Sequence, residues 1–120
     1  YAVDLAGKVH CLELATGRVV WIHELDAETW GTPLAADGKL YIGTKKYFHV
    51  LALGRTPREL AKISLGAPSY GTPVAANGTL YVGAGKYLWA VAEGAGKGPG
   101  SGSVSDPAPP SPPKAIAPGR

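Results

Sequence analysis

Glu24, Asp26 and Glu28 alternate along one short stretch, and their carboxylates come nearer to a cation site than any other acids in the chain. A hard cation such as calcium takes roughly six to eight oxygen ligands. Here the three acids sit in a polar connector that runs on through Ala27 and Thr29, and charged residues in such connectors are ordinarily solvated. The remaining acids up to Glu93 (Asp4, Glu13, Asp37, Glu59 and Glu93 itself) are scattered over turns and strand ends, with no close pair for general acid–base work. His10 and His49 hold matching positions in two similar runs, and Trp89 takes that position in a third. Exchange of His for Trp at one register marks a packing slot, and no third His stands in register to complete a zinc-type ligand set. Cys11 is the single cysteine. It can form no internal disulfide, and it reads as a small core residue. No catalytic, cofactor-binding or metal-binding residue is assigned.

Two aromatic residues remain. Trp30 and Tyr70 precede Gly31-Thr32-Pro33 and Gly71-Thr72-Pro73 at corresponding points. Rings there could stack on a ligand or partner at a rim; packing beneath the adjoining loop is the expected role. Lys45, Lys46 and Lys86 would join them on a binding face, if rim and lysine loops share one end of the fold.

Positioning these residues is the task of an internal repeat. Residues 31–43 return forty positions later as residues 71–83, each copy holding Gly-Thr-Pro, a short apolar run, Asp-Gly or Asn-Gly, and a second apolar run. Asp-Gly and Asn-Gly supply the paired positive φ angles of a type I′ turn, so each copy is expected to be a β-hairpin. Strand-like runs at Val9–Leu14, Val19–His23, Phe48–Leu53, Leu60–Leu65 and Tyr87–Ala92 flank them, and no window shows helical spacing. Four short strands per forty residues is the spacing of a β-propeller blade. The expected organisation is an all-β partial propeller over 1–94: the outer part of one blade at 1–25, a full blade at 30–65 and three strands of another at 70–92. Residues 95–120 turn to Gly, Ser, Pro and Ala and carry too little apolar surface to offset ordering entropy, so a disordered tail is expected. Its Pro-rich spacing between Pro107 and Pro113 reads as a linker or stalk.

Cys11-Leu12-Glu13-Leu14-Ala15-Thr16-Gly17-Arg18-Val19-Val20-Trp21 resembles the tryptophan-docking repeat of the PQQ-like (pyrroloquinoline quinone) propeller family, Ala-x-Asp-x-x-Thr-Gly-Lys-x-x-Trp. Thr16, Gly17 and Trp21 match, Arg18 is the basic residue, and Cys11 and Glu13 are conservative departures. The resemblance implies that Thr16 and Gly17 close a turn and that Trp21 docks one blade on the next. The second repeat, Leu53-Gly54-Arg55-Thr56-Pro57-Arg58, lacks both the Thr-Gly and the following Trp. The family includes propellers that help assemble outer-membrane proteins and quinoprotein dehydrogenases that hold PQQ over calcium. The first kind implies a non-catalytic scaffold or binding module in the bacterial cell envelope or periplasm, with protein partners. The second implies a fragment of an alcohol or sugar dehydrogenase that uses PQQ and calcium.

Charge sharpens the choice of partners. Residues 1–94 carry nine Lys or Arg against eight Asp or Glu, so the formal net charge of +3 comes mostly from residues 95–120. A nearly neutral folded part argues against nucleic acid. No stretch approaches the roughly 18 apolar residues of a membrane span. The chain has no Met and Tyr1 falls mid-strand in the repeat, so it is expected to be an arc of a longer propeller. Such an arc would self-associate through Trp21 and its uncovered blade edges.

Overall fold

The computed structural model describes residues 1–93; the expected tail lies outside the described residues. Ten strands form three antiparallel sheets, and no helix occurs among the described residues. The first sheet has the order β1 (Ala2–Val3), β2 (Lys8–Leu12), β3 (Val19–Glu24). The second has four strands in sequence order: β4 (Leu34–Ala36), β5 (Lys39–Gly43), β6 (Phe48–Ala52) and β7 (Glu59–Ile63). The third is β8 (Val74–Ala76), β9 (Thr79–Ala84), β10 (Tyr87–Ala92). This all-β, meandering arrangement is that of a partial β-propeller. Among the described residues, no helix is long and apolar enough to cross a membrane.

Local sequence explains the hairpins. Asp37 and Gly38 adopt φ of 50° and 68°, and Asn77 and Gly78 adopt 50° and 74°, the paired left-handed residues of a type I′ turn. The turns set register: Ala36 faces Lys39 and Ala76 faces Thr79, so alternate side chains of each hairpin point to opposite sheet faces.

That alternation gives each sheet two apolar faces, and the sheets stack through them. Val9, Cys11 and Trp21 of the first sheet, with Leu25, meet Leu40, Ile42 and Leu51 of the second. Phe48 and Val50, on the other face of the second sheet, meet Val82 and Leu80 of the third. Trp21 is only 8 % exposed, so self-association through its ring, as the sequence implied, is not open to the folded chain. The indole is already consumed within the molecule.

A hydroxyl fastens each connector to the sheet it enters. Thr29 Oγ1 donates to the Gly43 carbonyl at 2.6 Å, and Ser69 Oγ donates to the Gly83 carbonyl at 2.8 Å, forty residues on. Both side chains are buried, where an unpaired hydroxyl would be costly.

Candidate functional site

Trp21 projects from β3 at the first interface. Its Nε1 donates to the Gly54 carbonyl in the β6–β7 loop at 2.9 Å, and its ring lies 5.9 Å from that of Tyr1. The Tyr1 hydroxyl accepts from the Gly54 amide at 2.7 Å. The second repeat, which lacks the docking motif, thus provides the backbone on which the first repeat's indole rests. Thr16 and Gly17 are exposed. They close the β2–β3 turn, where the Gly17 amide donates to the Glu13 carbonyl at 2.7 Å and Gly17 takes φ of 72°. The turn presents Glu13, whose carboxylate accepts from Arg55 across the interface at 3.1 Å.

The same interface holds a polar bridge that sequence reasoning missed. Glu59 Oε2 lies 3.4 Å from His23 Nε2 and 3.2 Å from His49 Nδ1. Its partners come from β3 and β6, so only the folded register unites them. The His49 side chain is 1 % exposed and its Nε2 has no hydrogen-bond partner among the described residues. Burial pushes its pKa below the ordinary value, against the opposing pull of Glu59. For Glu59, desolvation acts upward but the hydrogen bonds from His49 and His23 outweigh it, and its pKa is lowered. His49 is therefore more than a packing slot. His10, its counterpart, instead pairs with Asp4 at 3.2 Å. Trp89, the third in register, is 37 % exposed.

Trp30 and Tyr70 depart from the expectation that they pack beneath their loops. Their rings stack on each other, centroids 5.2 Å apart and 28° between planes, with 66 % and 43 % of their surfaces exposed. The cause is a close backbone approach: a Cβ on Gly31 would lie 2.7 Å from the Gly71 carbonyl oxygen, so only glycine lets the two segments meet. The Thr32 amide also donates to Thr72 Oγ1 at 3.1 Å. Lys45 lies at the same end of the sheet as Trp30, since its amide donates to the Glu28 carbonyl at 2.8 Å.

The acidic trio does not converge. Glu24 pairs with Lys8 at 3.5 Å, Glu28 pairs with Lys45 at 3.8 Å, and Asp26 occupies a turn with φ of 55°. Among the described residues no three His, Cys, Asp or Glu side chains could hold a metal ion together. These residues do not fit a calcium centre. Cys11 is buried, with Sγ 3.8 Å from the Gly54 carbonyl oxygen.

No curated protein matches the chain. Residues 1–59 match the family model described as outer membrane protein assembly factor BamB, a PQQ-type repeat. That match spans the first sheet, the docking tryptophan and the second sheet as far as Glu59. Taken with the stacked antiparallel sheets and the Thr16-Gly17 turn leading to Trp21, it supports membership of the PQQ-like β-propeller repeat family over residues 1–59.

Proposed function

We propose that this chain is part of a non-catalytic propeller scaffold of the bacterial cell envelope, binding other proteins through the loop end that carries Trp30 and Tyr70. The observation that carries this reading is the exposed stack of those two rings. Large aromatic side chains dominate protein-binding energetics because they bury much area at small entropic cost. This pair is already ordered by ring-on-ring contact and by the Gly31–Gly71 approach, so little freedom would be lost on binding. Lys46 on the adjacent loop adds positive charge that suits an acidic rim on a partner, beside Lys45, which is paired with Glu28. The description of the matched family, an outer membrane assembly factor, supports an envelope setting with protein partners.

The alternative is an arc of a PQQ- and calcium-dependent dehydrogenase. Of the acidic trio, Glu24 and Glu28 are drawn apart into separate pairs with Lys8 and Lys45, which supports the scaffold over a calcium site at that connector. A photo-crosslinker placed at position 30 or 70 of the full chain in envelope extract separates the readings. The scaffold predicts that both positions label one protein, and that a crosslinker at exposed Arg58 does not. Saturable PQQ binding that requires calcium, with dye-linked oxidation of an alcohol or sugar, would overturn it.

Self-association belongs to the same reading. Val74 and Leu88 on the outer face of the third sheet are 56 % and 63 % exposed, and β1 and β10 each have one edge unpaired among the described residues. Concentration-dependent sedimentation is the expected result at micromolar levels.

A further inference from the structure

In the first sheet Trp21 faces Cys11 across the β2–β3 pair, and in the second Ala61 faces Val50 across the β6–β7 pair. A register irregularity follows at the same point in each, between Cys11 and Leu12 and between Val50 and Leu51. Ala61 therefore holds the place that Trp21 holds one sheet earlier. The indole fills the first interface. At the second, a partly open cleft of about 240 Å³ remains, walled by Tyr41, Phe48 and Ile63 on one sheet and Val82, Trp89 and Val91 on the other.

The register equivalence extends to the mouth. Ile63 stands where the first sheet has His23, since each faces the residue two before the irregularity's first member, Phe48 before Val50 and Val9 before Cys11. Trp89 stands where the second sheet has His49, opposite Val82 as His49 is opposite Ile42. Two of the groups that make the polar bridge of the first interface are thus replaced by apolar ones. No charged side chain lines the cleft.

We propose that this cleft is a binding site for a free, uncharged small molecule bearing one planar apolar ring system, between benzene and indole in size. Three features select that class. An indole already occupies the equivalent place in the first interface. An apolar cavity of about 150 Å³ takes up benzene, and this cleft is of at least that size with a lining that is apolar apart from Ser64 and the Tyr41 hydroxyl, so it has room for a ring. Trp89 and Phe48 present ring surfaces for offset or edge contact.

The test titrates the full chain with indole, followed by calorimetry and by amide and methyl NMR. Saturable uptake is expected, with shifts concentrated at Ile63, Val82 and Trp89. Ala61→Trp restores the missing ring and should weaken indole binding at least tenfold. Ile63→Glu, at a position 44 % exposed, places a charge at the mouth and should weaken it similarly while leaving the fold intact. If Ala61→Trp does not fold by circular dichroism, Ile63→Glu carries the comparison. No saturable uptake by the unmodified chain, shifts centred elsewhere, or unchanged affinity in the folded variants would overturn the proposal.

Discussion

The first and second sheet interfaces are made by one repeating plan and finished differently. At the first, Val9, Leu25, Leu40, Ile42 and Leu51 are each at most 1 % exposed, an indole closes the gap, and Glu59 ties two histidines across it. At the second, Phe48 and Val82 are buried, yet Ile63, Trp89 and Val91 are 44 %, 37 % and 52 % exposed. The difference teaches that alternation alone brings two sheets together, whereas sealing them takes a few large or polar side chains at fixed register. Three exchanges at equivalent register, Ala61 for Trp21, Ile63 for His23 and Trp89 for His49, separate a closed seam from an open one.

Removing Trp21 should show the largest effect. Trp21→Ala loses a buried ring and the shortest of the hydrogen bonds to the Gly54 carbonyl, costing about 3–5 kcal/mol in chemical denaturation. Trp89→Ala, at the half-open seam, should cost less than about half as much, because a partly exposed ring loses less on truncation. Equal costs would erase the distinction between the seams. In the other direction, Ala61→Trp should stabilise by about 0.5–2 kcal/mol if the ring finds the cleft.

The polar bridge gives the first interface a pH dependence of its own. Because the folded state lowers the pKa of His49, the unfolded chain binds a proton there first as pH falls below about 6.5. Stability is therefore lost on acidification from that point down to the folded pKa. Glu59, also lowered, contributes stability that is present above its unfolded pKa and lost as pH falls through its folded value. His49→Leu should flatten the stability profile on acidification below about pH 6.5. An unchanged slope would remove His49 from the account. Arg55→Ala should be the mildest change, within about 1 kcal/mol, since an exposed ion pair such as Arg55–Glu13 contributes little.

Much of the fold was legible from residue order because its causes are local. Asp37-Gly38 and Asn77-Gly78 dictate their turns whatever surrounds them, and the return of Gly-Thr-Pro after forty residues reveals a repeated sheet unit. The Thr16-Gly17 to Trp21 spacing pointed to the family. The site was less legible because its causes lie between strands. His23, His49 and Glu59 belong to separate strands and meet only in the folded register. Trp30 and Tyr70 looked like residues packed under loops, and only the Gly31–Gly71 approach explains why they stack in the open. The missing tryptophan of the second repeat was visible as a gap in a motif. Its consequence, a cleft lined by Val50, needed the pairing of Ala61 with Val50 to be seen.

Native-state hydrogen exchange on the full chain puts the contrast between the seams to the most direct test. Amides of β3, β5 and β6 around Trp21, Ile42 and Leu51 should exchange only through the largest openings, and those of β9 and β10 around Val82 and Trp89 should exchange through smaller ones. Equal protection across both groups, or greater protection in β9 and β10, would contradict the claim that the tryptophan-sealed seam is the tighter of the two.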